Sequence, residues 1–205
     1  MNLYTLEHPL ITHKLTEMRD VSTNSRMFRQ NLTEISTFLA YEILRDLPLK
    51  DKLIKTPLCD SVQQVLDKNV VVVPVLRAGL GMVDGFINAH PDIHIGHVGM
   101  ERDESTFKPK PYYYKVPKID NSVTVVVDPM LATGGSADET ITELKENGIT
   151  NIKLACILGV KEGVERINKN HSDVDIWLCA LDEELNEKAY ILPGLGDAGD
   201  RIYRY

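Results

Sequence analysis

The sequence predicts an α/β protein: a central, mostly parallel β-sheet flanked by helices, within a single domain spanning residues 1–205. Two observations carry this. Five short apolar, largely β-branched runs, at 70–76, 93–100, 123–127, 152–158 and 174–181, alternate with segments of helical periodicity. Two of these runs end in glycine-rich turns, Arg77-Ala78-Gly79-Leu80-Gly81 and Thr133-Gly134-Gly135-Ser136, at the strand edge where open α/β sheets bind ligands.

The N-terminal region, 9–47, reads as helical. Residues 9–20 form a short helix, and 25–47 a long one with Phe28, Leu32, Ile35, Leu39 and Ile43 along one face, ended by Pro48. That stripe is core or subunit interface. The 93–100 run is a strand on which His94 and His97, three residues apart, point to opposite faces, so the histidines there do not suggest a metal site. Residues 108–118, with Pro109, Pro111, Tyr112, Tyr113, Tyr114 and Pro117, break the alternation and suggest an exposed extended arm or hairpin. Cys156 and Cys179 lie in apolar runs and read as small core residues. Residues 185–205 carry Pro193 and glycines with too little periodicity for a strand or helix, and form a hood.

Composition narrows the function. A formal net charge of -7 argues against nonspecific polyanion binding, hence against nucleic acid, while leaving room for a local basic pocket. There is no run long and apolar enough for a membrane span and no basic-then-apolar leader, and three scattered cysteines suit a reducing, cytoplasmic setting.

The most informative stretch runs from Val123 to Ala137. A buried strand, 123–127, gives way to Asp128 and then to Thr133-Gly134-Gly135-Ser136. A helix follows with Ala137, Ile141 and Leu144 on one face and Gly148 as its stop. Ser136 and Glu139 have capping-box spacing, which predicts that the helix begins at Ser136. Free N–H groups, the positive end of the helix dipole and glycines that admit close approach together favour a phosphate. A carboxylate at Asp128 would repel phosphate but accept hydrogen bonds from sugar hydroxyls, so the local chemistry asks for a ribose 5-phosphate. Arg77, at the end of the 70–76 strand, suits a diphosphate, and Arg102 could join it.

Two segments imitate a dinucleotide-binding fingerprint. Gly79-Leu80-Gly81 lacks the third glycine, since Asp84 stands in its place. Gly194-Leu195-Gly196-Asp197-Ala198-Gly199 matches in full, but with only six residues after it no helix is expected to follow. Its content is instead a flexible backbone able to wrap a planar ligand.

These three motifs, the Arg77 turn, Asp128 to Ser136, and Tyr190 to Asp200, make the chain resemble the uracil phosphoribosyltransferases over nearly its whole length. The resemblance implies the type I phosphoribosyltransferase fold and the reaction of uracil with 5-phospho-α-D-ribose 1-diphosphate (PRPP) to give UMP and diphosphate, in pyrimidine salvage, with Mg²⁺. It implies that Asp128, Pro129, Met130, Leu131, Ala132, Thr133, Gly134, Gly135 and Ser136 hold the ribose 5-phosphate, and that Arg77 and Arg102 hold the diphosphate. Ile191, Gly196, Asp197 and Ala198 would read uracil, with Asp197 also touching PRPP; Asp128, Asp197 and Arg77 are the catalytic candidates. Where the wider group has two adjacent acids this chain has Asp128-Pro129, so Mg²⁺ would be held through PRPP and water with no direct protein ligand. Relatives also imply a homodimer or homotetramer and, in some cases, GTP as an activator. A UMP-sensing RNA-binding regulator on the same fold is the alternative from another class, and a phosphoribosyltransferase for a different base is the third reading.

Overall fold

The computed structural model describes residues 2–102 and 109–204; of Arg102 and Pro109 only the backbone is described. A nine-stranded sheet forms the centre. Its main path runs β1 (Leu3–Thr5), β11 (Asp175–Asp182), β10 (Ile152–Val160), β8 (Ser122–Val127), β4 (Asn69–Leu76), β6 (His97–Arg102) and β7 (Pro109–Lys115). Two short strands complete it, β5 (His94–Ile95) beside β4 and β9 (Met130–Leu131) beside β10. Every pairing is parallel except β6 with β7.

Alternation along β4 explains the three layers. Val70 and Val72 face a core shared with α1 (Pro9–Arg19), α2 (Ser25–Ile43) and α3 (Leu80–Ala89). Val71, Val73 and Val75 face a second core shared with α4 (Gly135–Glu146) and α5 (Lys161–Asn170). A strand buried on both faces is uniformly apolar, which is why the 70–76 run shows no polar alternation. Phe28, Leu32, Ile35, Leu39 and Ile43 are fully buried, so the stripe on α2 belongs to the core.

The structure corrects several element boundaries. α2 ends at Ile43, four residues before the expected stop, because Leu44 caps it in a non-helical conformation and a turn leads to Pro48. The 93–100 run is two strands, β5 and β6, separated at Gly96. The tail is ordered as β12 (Glu184–Leu185), paired antiparallel with β13 (Ile191–Leu192), and then as α6 (Ala198–Tyr203). A helix does follow the glycines, contrary to expectation: the Asp197 side chain caps it, accepting from the Asp200 N–H at 2.9 Å, and Ile202 buries against α2.

The 108–118 segment places β7 along the sheet edge, with Lys108 outside the described residues. The feature that stands away from the body is an antiparallel hairpin of β2 (Leu49–Lys55) and β3 (Asp60–Leu66), which the sequence analysis did not identify. Its tip is a Thr56-centred turn, where the Thr56 hydroxyl accepts from the Leu58 and Cys59 N–H groups. Among the described residues, no helix is long and apolar enough to cross a membrane.

Candidate active site

The carboxyl ends of β4 and β8 lie side by side, and the loops leaving them build the site. At β8, Asp128 N–H donates to the Ala155 carbonyl at 3.1 Å, and the Pro129 carbonyl accepts from Ile157 and Leu158, both at 3.0 Å. These bonds to β10 fix the direction in which Asp128 leaves the sheet. Gly79 fits the β4 turn against the same edge: a Cβ there would collide with the Val127 carbonyl, so no larger residue can occupy it without movement.

The loop then reaches α4, which begins at Gly135, one residue earlier than expected. No side-chain cap forms at its start, and the Ser136–Glu139 capping box is absent. Gly134 caps instead with φ 76, a left-handed conformation costly for any residue with a Cβ. With the cap made by glycine backbone, the first-turn N–H groups of Gly135, Ser136 and Ala137 lack intrahelical partners. They open into a cleft of about 400 Å³ lined by Asp128, Met130 to Ala137, Lys188, Ala189, Tyr190 and Asp197. The cleft therefore joins the 133–136 loop, the Asp128 carboxylate and the tail in one space.

Burial pushes the Asp128 carboxyl up to about 7, against a backbone hydrogen bond from Met130 that favours the charged form. Among the described residues the Met130 N–H is the donor that offsets burial, which leaves carboxylate oxygen lone pairs open to further donors. Hydroxyl groups entering the cleft can supply them.

The hood is fastened from behind. Arg19 donates to both Asp182 oxygens, at 2.7 and 2.5 Å, and to the Gly194 carbonyl at 2.8 Å, while the Gly194 N–H donates to Asp182 at 3.0 Å. Arg201 lies over the Phe28 ring and donates to carbonyls of Met18, Asp20, Thr23 and Leu195. Tyr203 donates its hydroxyl hydrogen to the Arg77 carbonyl at 2.9 Å, tying α6 to the β4 turn. None of these fastenings was read from the sequence, because each joins residues more than 120 positions apart or bonds to backbone.

Comparison with known proteins decides the family. The model of the family described as uracil phosphoribosyltransferase matches residues 5–204. The chain belongs to the uracil phosphoribosyltransferase family. Uracil phosphoribosyltransferases from Mycoplasma mobile and Bacillus velezensis are each 52% identical over 203 residues, covering 98% of this chain and 98% and 97% of theirs. Among solved structures, the AQ2163 protein of Aquifex aeolicus superposes with a TM-score of 0.92 at 36% identity, covering 98% of this chain and 97% of that one. A hypoxanthine-guanine phosphoribosyltransferase from Bacillus anthracis shares the fold, with a TM-score of 0.52 at 16% identity over 77% of this chain and 80% of its own.

Asp128, Met130 to Ser136 and Asp197 line one cleft, and Pro129 supports its floor. Arg77 stands exposed at the end of β4, where its carbonyl meets Tyr203. Arg102 ends β6, the strand next to β4. Ile191 and Ala198 are buried in the tail, with Gly196 and Asp197 exposed. A residue missed by sequence reasoning is Asp138, buried in the first turn of α4 and paired with Arg166. An acid inside the first turn of a helix that opens on a glycine turn was its only sequence signal.

Proposed function

We propose that this protein transfers the 5-phosphoribosyl group of PRPP to uracil, giving UMP and diphosphate in pyrimidine salvage in the cytoplasm. The observation that carries the reading is the single cleft in which first-turn amides, Asp128 and the C-terminal hood converge. Phosphate charge is met by N–H groups and the helix dipole, with Thr133 and Ser136 adding hydroxyl donors. Asp128 accepts from the ribose hydroxyls, which lowers the cost of its ionised form. Arg77, with Arg102, meets the diphosphate, whose negative charge grows as the anomeric bond breaks. The hood, held by Arg19, Arg29 and Arg201, presents Ile191 and Gly196 to Ala198 to the base, so that uracil N1 is oriented toward the anomeric carbon.

Among the described residues, no three His, Cys, Asp or Glu side chains gather as a metal-ligand cluster. The donor set suits a hydrated ion that rides on substrate oxygens, and Asp128 and Asp197 are the acids within reach of such an ion. Mg²⁺ bound there would neutralise diphosphate charge.

Two further features support finer parts of the reading. A cavity of about 800 Å³, walled in part by the hood, is lined by Arg19, Arg26, Arg29, Arg201 and Arg204 against two acids, Asp197 and Asp200, an excess of positive charge that suits the phosphates of a nucleotide activator such as GTP. The β2–β3 hairpin exposes Leu53, Leu58 and Val62 at 70%, 95% and 61%, as a segment buried in a homodimer or homotetramer would in the isolated chain. Purified protein given saturating uracil, PRPP and Mg²⁺ is expected to form UMP, while orotate and hypoxanthine give no nucleotide. No UMP under those conditions refutes the reading.

A further inference from the structure

Behind the phosphate loop lies a charged cluster whose own residues, Asp138, Arg166, Asn170 and His171, do not line the cleft. Asp138, 6% exposed, receives Arg166 Nε at 2.8 Å and Asn170 Nδ2 at 3.0 and 3.1 Å, and His171 Nε2 lies 3.0 Å from its Oδ1. Lys145 Nζ, 3.3 Å from His171 Nδ1 and 2.6 Å from Asp173, can only donate. Arg166, ionised at every working pH, is the permanent positive charge in hydrogen-bond contact with Asp138.

The cluster also bears on the loop's shape. A Cβ at Gly134 would meet the Gly163 carbonyl at 3.1 Å and Arg166 Cδ at 3.4 Å, so the stem of Arg166 packs against the left-handed turn that exposes the first-turn amides. A carboxylate in the first turn normally gains from the helix dipole. Here it draws on the same positive potential that an incoming phosphate needs.

We propose that Arg166 is a positioning residue that sets the anion affinity of the loop by neutralising Asp138 from the rear and buttressing Gly134. This rests on the reading of the 133–136 loop as a phosphate site. An unneutralised unit charge roughly 10 Å from a phosphate, at an effective dielectric of about 20, corresponds to about a tenfold change in binding.

The test is a double-mutant cycle on the full chain, with ribose 5-phosphate binding by calorimetry and steady-state kinetics as readouts. R166Q is expected to weaken ribose 5-phosphate about tenfold and to raise the KM for PRPP by a similar factor, with kcat within about twofold and the KM for uracil unchanged. D138N/R166Q, which removes both charges, is expected to recover binding to within about threefold of the parent, and R166K to stay near it. R166Q binding like the parent overturns the proposal. So does a double variant as weak as R166Q, which would mean that Arg166 works through shape alone or touches the phosphate directly. If R166Q does not fold, R166K and the double variant still decide, since loss of affinity in both overturns charge neutralisation. Failure of the parent protein itself to bind ribose 5-phosphate would instead remove the phosphate-site reading beneath it.

Discussion

Asp128→Asn is expected to make the protein more stable and far less active, with the gain in stability confined to neutral and alkaline pH. Burial penalises the charge of the native carboxyl and pushes it up to about 7 from an ordinary value of 3.8. A group whose pKa is raised on folding contributes its full stability below the unfolded value, and that contribution is lost as pH rises through the folded value. Well below 3.8 the carboxyl is protonated in both states, and Asn mimics it. Above pH 7 it is ionised in both, and the native state carries the whole desolvation penalty. Three pKa units at about 1.4 kcal/mol each set a ceiling of about 4 kcal/mol, and partial solvent contact in the open cleft brings the expected gain to about 2 kcal/mol. Urea unfolding of both proteins at pH 4 and pH 8 measures this, with a difference at the lower pH that is a small fraction of that at the upper, where the variant has the higher midpoint. A variant that is less stable at pH 8, or a difference that does not change with pH, refutes the account of Asp128 as a carboxylate held at a cost for its substrate.

Three other perturbations probe the remaining parts. Arg77→Ala, at an exposed position, should lower kcat/KM for PRPP by about 10²-fold with an unchanged circular dichroism spectrum. Gly134→Ala should destabilise by about 1–2 kcal/mol and raise the KM for PRPP more than that for uracil, since its φ of 76 and its nearby neighbours resist a side chain. Arg19→Ala should cost about 2–4 kcal/mol by leaving the buried Asp182 without its countercharge, and should raise the KM for uracil as the Pro193–Gly194 turn loosens. Thermal unfolding together with initial rates separates these outcomes.

The sheet and its order of strands and helices were legible because strands buried on both faces are continuous apolar runs: 70–76 has no polar residue to confuse the period, and 123–127 has only Thr124, β-branched and buried like its neighbours. Asp128 and the Thr133–Ser136 turn were legible for a related reason: few sequences place a lone acid and two glycines between such a run and an amphipathic helix. The helix start was misplaced because Ser136 and Glu139 satisfy a local spacing rule that the glycine cap at Gly134 overrides. The β2–β3 hairpin escaped notice because neither strand packs on the body of the protein, so 49–66 lacks the apolar alternation that marks a strand with one buried face. α6 was missed because six residues carry little periodicity; its cap at Asp197 and its burial against α2 come from contacts distant in sequence. The same holds for the Arg19–Asp182 and Asp138–Arg166 pairs, whose partners only the folded chain brings together.

A crystal structure with UMP bound tests the central claim most directly. The account places the 5′-phosphate on the first-turn amides of α4 beside Thr133–Ser136, the ribose hydroxyls on Asp128, and the base against Ile191 and Gly196–Ala198. UMP seated with its phosphate among the arginines of the larger cavity, and the 400 Å³ cleft left to solvent, would contradict it.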